Sequence, residues 1–198
     1  MGQFKDLFSA HSNDYAKFRP TYPATLFDYL ATLTPPSSTV WDCGTGSGQA
    51  AIELASRFQK VFATDPSEKQ LTNAMLHPNI KYSVATAENS KLDSHSIDLI
   101  TVAQAFHWFN HEQFFNEVRR VSKPGATLAI WSYALAMITP EIDVAVMDLY
   151  QGLLESYWEP ERKLVATGYA TIPVPFPELL PEAAVIPAPV FFYNHLRV

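Results

Sequence analysis

Apolar positions along this chain fall into two alternating rhythms. Short runs dominated by apolar residues recur at 40–42, 60–65, 80–85, 96–103 and 126–131, as expected of strands buried in a sheet. Between them the spacing turns helical. Leu26, Phe27, Leu30 and Leu33 lie at helical intervals over residues 24 to 33, a second helix runs from Ala50 to about Phe58, and Phe114, Phe115 and Val118 supply one face of a helix from His111 to about Ser122.

The polar punctuation agrees with these boundaries. Pro35-Pro36-Ser37-Ser38 stops the first helix, Ser67 with Gln70 three residues later forms a helix start, and Asn110 with Gln113 forms another. Arg119 and Arg120 suit the last turn of that helix, and Lys123-Pro124-Gly125 ends it. Five strands alternating with helices predict a parallel sheet joined by right-handed crossovers. The expected fold class is α/β, a Rossmann-like, mostly parallel sheet with helices on both faces.

The pattern changes after the fifth strand. Thr139-Pro140-Glu141 predicts a helix start, with proline at the first helical position, and the helix is expected to reach Tyr157 or Trp158. Its Leu149, Leu153, Leu154 and Tyr157 either roof an acceptor pocket or pack on the sheet. Residues 172 to 189 are proline-rich, and residues 190 to 193 read as one edge strand. The division expected is an N-terminal arm and helix over 1–37, a core over 38–134, and a C-terminal helix and irregular tail over 135–198 that covers the acceptor site.

Composition narrows the class. The 198 residues are 47% hydrophobic and 17% charged, enough for one well-buried α/β domain. A formal net charge of -6 argues against a general nucleic-acid binder. The single cysteine, Cys43, fits a reducing compartment and reads as packing beside the glycine loop. With no signal pattern at the start and no apolar run long enough for a bilayer, a cytoplasmic protein with no membrane partner is expected. Six scattered histidines give no metal-ligand spacing.

Candidate chemistry centres on Asp42-Cys43-Gly44-Thr45-Gly46-Ser47-Gly48-Gln49, where an apolar strand ends in a carboxylate and meets alternating glycines before a helix. Such glycines permit positive φ and close approach of a ligand to main chain. The dinucleotide fingerprint, counted from Gly44, requires glycine where Gln49 stands, and Asp42 would repel a pyrophosphate. A ligand with an ammonium group and no phosphate suits the site better. Asp65, ending the second strand about twenty residues on, lies where an acid accepts hydrogen bonds from ribose hydroxyls.

The series Asp42-x-Gly44-x-Gly46-x-Gly48 resembles the first motif of the class I S-adenosylmethionine-dependent methyltransferases, over about residues 38 to 132. That resemblance implies S-adenosylmethionine as cofactor, with Glu88 after the third strand near the adenine amino group and Ala87 and Gln104 beside the cofactor. Two shorter segments, Tyr15 to Pro23 and Gln104 to Phe109, resemble the branch that includes trans-aconitate methyltransferase. The family closes its sheet with two further strands, the last antiparallel, whereas this C-terminal region offers one clear strand.

The segment from Asn13 to Pro23 is either a lid, in which Tyr15 and Arg19 contact the cofactor or acceptor, or an arm packed on the sheet. His107 follows the fourth strand, where open α/β sheets bind ligands, while Phe106, Trp108 and Phe109 read as packing. A small carboxylate acceptor would need no base, only orientation by Arg19 or cationic His107; a phenol or enol, as in quinone-type ring methylation, would make His107 the base. A cofactor-binding protein without turnover is the remaining alternative.

Overall fold

The computed structural model describes residues 21–133, 135 and 138–177, and the backbone of 191–197. Six strands form one sheet in the order β3-β2-β1-β4-β5-β6. They are β1 (Thr39–Cys43), β2 (Lys60–Asp65), β3 (Ile80–Val84), β4 (Ile97–Ala103), β5 (Ser122–Tyr133) and β6 (Phe191–Arg197). The first five are parallel; β6 pairs antiparallel with β5, Leu128 opposite Leu196. The parallel α/β sheet and the C-terminal edge strand therefore match the sequence expectation, the strand extending to Arg197.

Alternation along the central strands sends side chains into two cores. Trp41, Ile100, Val102, Leu128 and Ile130 face one side, under α4 (His111–Val121). Val40, Leu99, Ala129 and Trp131 face the other, under α1 (Ala24–Leu33) and α2 (Gln49–Ala55). Arg57 ties these two helices together: it pairs with Asp28 at 2.7 Å and Glu53 at 3.0 Å and lies over the Phe27 ring.

The helix starts read at Ser67 and Asn110 are capped as expected. Ser67 Oγ accepts the Gln70 amide ahead of α3 (Glu68–Thr72), and Asn110 Oδ1 accepts the Gln113 amide at 3.2 Å. Three boundaries differ. The second helix stops at Ala55, because the amides of Arg57 and Phe58 both turn back to the Leu54 carbonyl, and Phe58 is buried from outside it. The fifth strand begins at Ser122, with Lys123-Pro124-Gly125 absorbed as a register shift between Ile97 and Leu99. The helix expected to reach Tyr157 is broken into α5 (Pro140–Met147), a π turn (Asp148–Leu153) and a 3-10 turn (Glu155–Tyr157).

Leu149, Leu153 and Tyr157 in that stretch are exposed, so they do not pack on the sheet. A short helix, α6 (Arg162–Ala166), returns the chain to the sheet. Strand order 3-2-1-4-5 reverses direction between β1 and β4, and the crevice outside their C-terminal ends is where such sheets bind ligands.

Candidate active site

The loop after β1 is held open by its glycines. Gly44, Gly46 and Gly48 have φ of 69°, 56° and 85°, left-handed values that disfavour a side chain. Neighbours also exclude one: a Cβ on Gly44 would lie 2.6 Å from Ala105 Cβ, and one on Gly48 would lie 2.5 Å from the Tyr82 hydroxyl. Ala105 and Phe109, which follow β4, thus press directly on the loop that follows β1.

Four of the loop amides are already engaged. Gly44 and Thr45 donate to the Thr64 carbonyl, Gly48 donates to the Thr45 carbonyl, and Gly46 donates to Asp65 Oδ2 at 2.9 Å. A pyrophosphate site needs such N–H groups turned toward the ligand, so this geometry disfavours a dinucleotide.

Asp42 does not stand open to the crevice. It is 1% exposed, and its two oxygens accept from Thr45 Oγ1 at 2.5 Å and Thr101 Oγ1 at 2.7 Å. Burial pushes its carboxyl up to about 6, against the hydroxyl hydrogen bonds that lower it, and the charge of Asp65 adds to the rise. Asp65 also accepts the Ser67 amide at 2.9 Å.

Glu88 reaches from the turn after β3 to the start of α4, where Oε1 accepts the Asn110 amide at 2.9 Å. Its turn is anchored by buried Glu117, which accepts from Ser90 N at 2.7 Å and Ser90 Oγ at 2.5 Å and pairs with Arg120 at 2.7 Å. Burial pushes the Glu117 carboxyl up, but the hydrogen bonds from Arg120 and Ser90 outweigh it and hold it below the ordinary range. Ala87 packs its side chain into the core, so only its backbone is available to line a site. Burial pushes the Cys43 thiol well up, and the charges of Asp42, Glu88, Asp65 and Glu117 add to the rise.

After β4, Gln104 has a left-handed φ of 57°; its amide donates to the Trp131 carbonyl and its Nε2 to the Tyr133 carbonyl at 3.4 Å. This binds the ends of β4 and β5 together and starts the 3-10 turn Phe106–Trp108. Phe106 and Phe109 pack with Phe114, as the sequence implies, whereas Trp108 is half-buried against His107. His111 Nε2 donates to the Phe106 carbonyl at 3.0 Å and pins the turn; burial holds its imidazole below the usual range. His107 Nδ1 lies 3.0 Å from the Tyr169 hydroxyl.

Thr101, Tyr82 and Tyr169 carry no signal in the sequence that would place them here. Thr101 meets Asp42 across 59 positions and Tyr169 meets His107 across 62. The readable local signal was Gly168 after the 162–166 helix, a C-terminal stop. Tyr15 and Arg19 lie outside the described residues. Among the described residues there is no metal-binding cluster, and no helix is long and apolar enough to cross a membrane.

The donor set fits a cationic nucleoside: acids without a phosphate cradle suit a sulfonium and an ammonium. Comparison with known proteins agrees. Residues 41–130 match the methyltransferase domain family. A Dictyostelium discoideum protein named as a methyltransferase is 40% identical over 174 residues, covering 86% of this chain and 66% of that protein. CRG1 of Saccharomyces cerevisiae, named as an S-adenosylmethionine-dependent methyltransferase, is 30% identical over 138 residues, 65% of this chain and 46% of that one. The chain thus spans between about half and two thirds of these curated relatives.

A solved structure from Anaeromyxobacter dehalogenans, described as a type II methyltransferase, superposes with a TM-score of 0.75 at 47% identity, covering 82% of this chain and 69% of that one. Likeness at that level, in sequence and in backbone together, decides the family: the chain belongs to the S-adenosylmethionine-dependent methyltransferases.

Proposed function

We propose that this protein transfers the methyl group of S-adenosylmethionine to a carboxylate oxygen of a small molecule, in the manner of the trans-aconitate methyltransferase branch. The observation that carries the reading is the meeting of the acid-lined loop after β1 with the His107 turn after β4, through the contact of Gly44 with Ala105 and Phe109. Cofactor and acceptor sides of the crevice are thereby set against each other.

When bound, the sulfonium supplies an electrophilic methyl group. Asp65 accepts the ribose hydroxyls, and its bonds to Gly46 and Ser67 keep it rigid. The buried charge of Asp42 favours the ammonium end, and the ammonium in turn favours ionised Asp42. Glu88 and the Ala87 backbone border the adenine, and Gln104 shapes the turn that carries the acceptor side. Tyr15 and Arg19 belong to the same proposal as contacts from the N-terminal segment.

A carboxylate acceptor is already nucleophilic, so the protein has to align it and exclude water. His107 is the residue assigned to that alignment. His107→Ala should lower kcat/KM for a carboxylate acceptor at least tenfold while leaving S-adenosylmethionine affinity, read by calorimetry, within about twofold. Unchanged turnover would remove His107 from the acceptor side. Methylation of phenols but of no carboxylate in an acceptor screen would replace this reading with ring methylation.

A further inference from the structure

Tyr169 reaches the candidate site from the turn that follows α6. After α6, the Gly168 amide donates to the Val165 carbonyl at 3.0 Å and the Tyr169 amide to the Leu164 carbonyl at 2.9 Å. These are the paired bonds of a Schellman stop, with Gly168 in the left-handed conformation it demands, φ 59°. The stop throws Tyr169 back onto the sheet. The residue itself is left-handed, φ 61°, although it is not glycine, a conformation that persists only where packing over-determines it. The packing is present: the ring is 5% exposed, edge-on to Phe106 at 5.2 Å and parallel to His107 within 18°.

We propose that Tyr169 is a positioning residue that donates its phenolic proton to His107 Nδ1, holding the neutral imidazole with its own proton on Nε2 and so preparing it to donate to an anionic acceptor. The acceptor half of this statement rests on the function proposed above; the tautomer half does not.

The direction of the hydrogen bond follows from what surrounds the phenolic oxygen. Burial pushes the Tyr169 hydroxyl far above its ordinary range, so it stays protonated. A buried O–H needs an acceptor. Ser132 Oγ has no hydrogen-bond partner among the described residues, whereas His107 Nδ1 lies at hydrogen-bond distance, 3.0 Å, so the phenol gives its proton to Nδ1. A neutral imidazole receiving a proton at Nδ1 carries its own at Nε2. Such a histidine donates to an anion and is not set to remove a proton through Nε2, which accords with a carboxylate acceptor and opposes a phenolic one.

The test is long-range 1H–15N NMR of the full chain with 15N-labelled histidine, the His107 signals assigned by comparison with His107→Gln. In the wild type, neutral His107 is expected as the Nε2–H form. Finding the proton on Nδ1 overturns the proposal, without any variant at Tyr169 having to fold. Tyr169→Phe keeps the ring against Phe106 and removes the donor; it should turn the single tautomer into a mixture and lower kcat roughly tenfold with cofactor affinity unchanged. An unaltered tautomer in Tyr169→Phe also overturns the proposal. If the tautomer shifts as expected while His107→Ala retains full turnover, the Tyr169 assignment stands and the acceptor-side role of His107 falls.

Discussion

At the scale of single residues, a buried acid sets the strongest expectation. The carboxyl of Asp42 sits at about 6 in the folded chain against an ordinary 3.8. Because the folded value is the higher one, the folded chain binds more protons between about pH 4 and 6. Stability contributed by protonated Asp42 is therefore lost as pH rises through that window, by roughly 3 kcal/mol once it is ionised. Asp42→Asn should raise the cofactor-free melting temperature at pH 8 and flatten its slope between pH 4 and 6, measured by scanning calorimetry. The same variant should weaken S-adenosylmethionine binding by about tenfold or more, because on the proposed function the ammonium would lose its counter-charge. Gly44 makes a second case: Gly44→Ala should cost 2 kcal/mol or more, from left-handed strain of about 1 to 2 kcal/mol and the 2.6 Å approach to Ala105. Adding Ala105→Gly should restore the steric part and leave the strain, a separation readable in a double-mutant cycle by urea titration.

At the scale of elements, the caps and stops matter because they aim loops at the site. Asn110 caps α4 and also gives its amide to Glu88, so one residue fixes a helix start and the turn after β3. Asn110→Ala retains that amide and removes only the cap, at an expected cost of about 1 kcal/mol in denaturant unfolding. Helix and strand periodicity marked α1, β2, β4 and α4 within a residue or two, since each buries a regular face. The continuous helix expected over 140 to 157 is different. With Ile142, Val144, Leu149 and Leu153 all exposed, no packed face enforces one helical period, and the backbone divides into α, π and 3-10 turns.

For the whole molecule, one ligand should discriminate between the readings of the glycine loop. Binding to the folded state at a hundred times the dissociation constant stabilises by about 2.7 kcal/mol, which for a chain of this size raises the melting temperature by roughly 5 to 10 °C. S-adenosylmethionine should produce that shift and NADH none, because Asp42 repels a pyrophosphate and four of the loop amides are already bound to Thr64, Asp65 and Thr45. A shift with NADH alone would contradict the family's ligand at this site. The expectation belongs to the assembled sheet, since three of those four amides are satisfied by residues of β2.

From sequence alone came the alternation of strands and helices, the parallel α/β class, the glycine loop and its two acids, for a common reason: short-range periodicity and turn chemistry are written in neighbouring residues. The cofactor family was legible because its motifs recur at fixed spacing. Tertiary structure decided which groups meet. It buried Asp42 beneath the hydroxyls of Thr45 and Thr101, set Tyr82 against Gly48, and brought Tyr169 to His107. Except for Thr45, these partners lie tens of residues from the groups they touch, and proximity of that kind comes only from strand order and from the stop that turns α6 back toward the sheet.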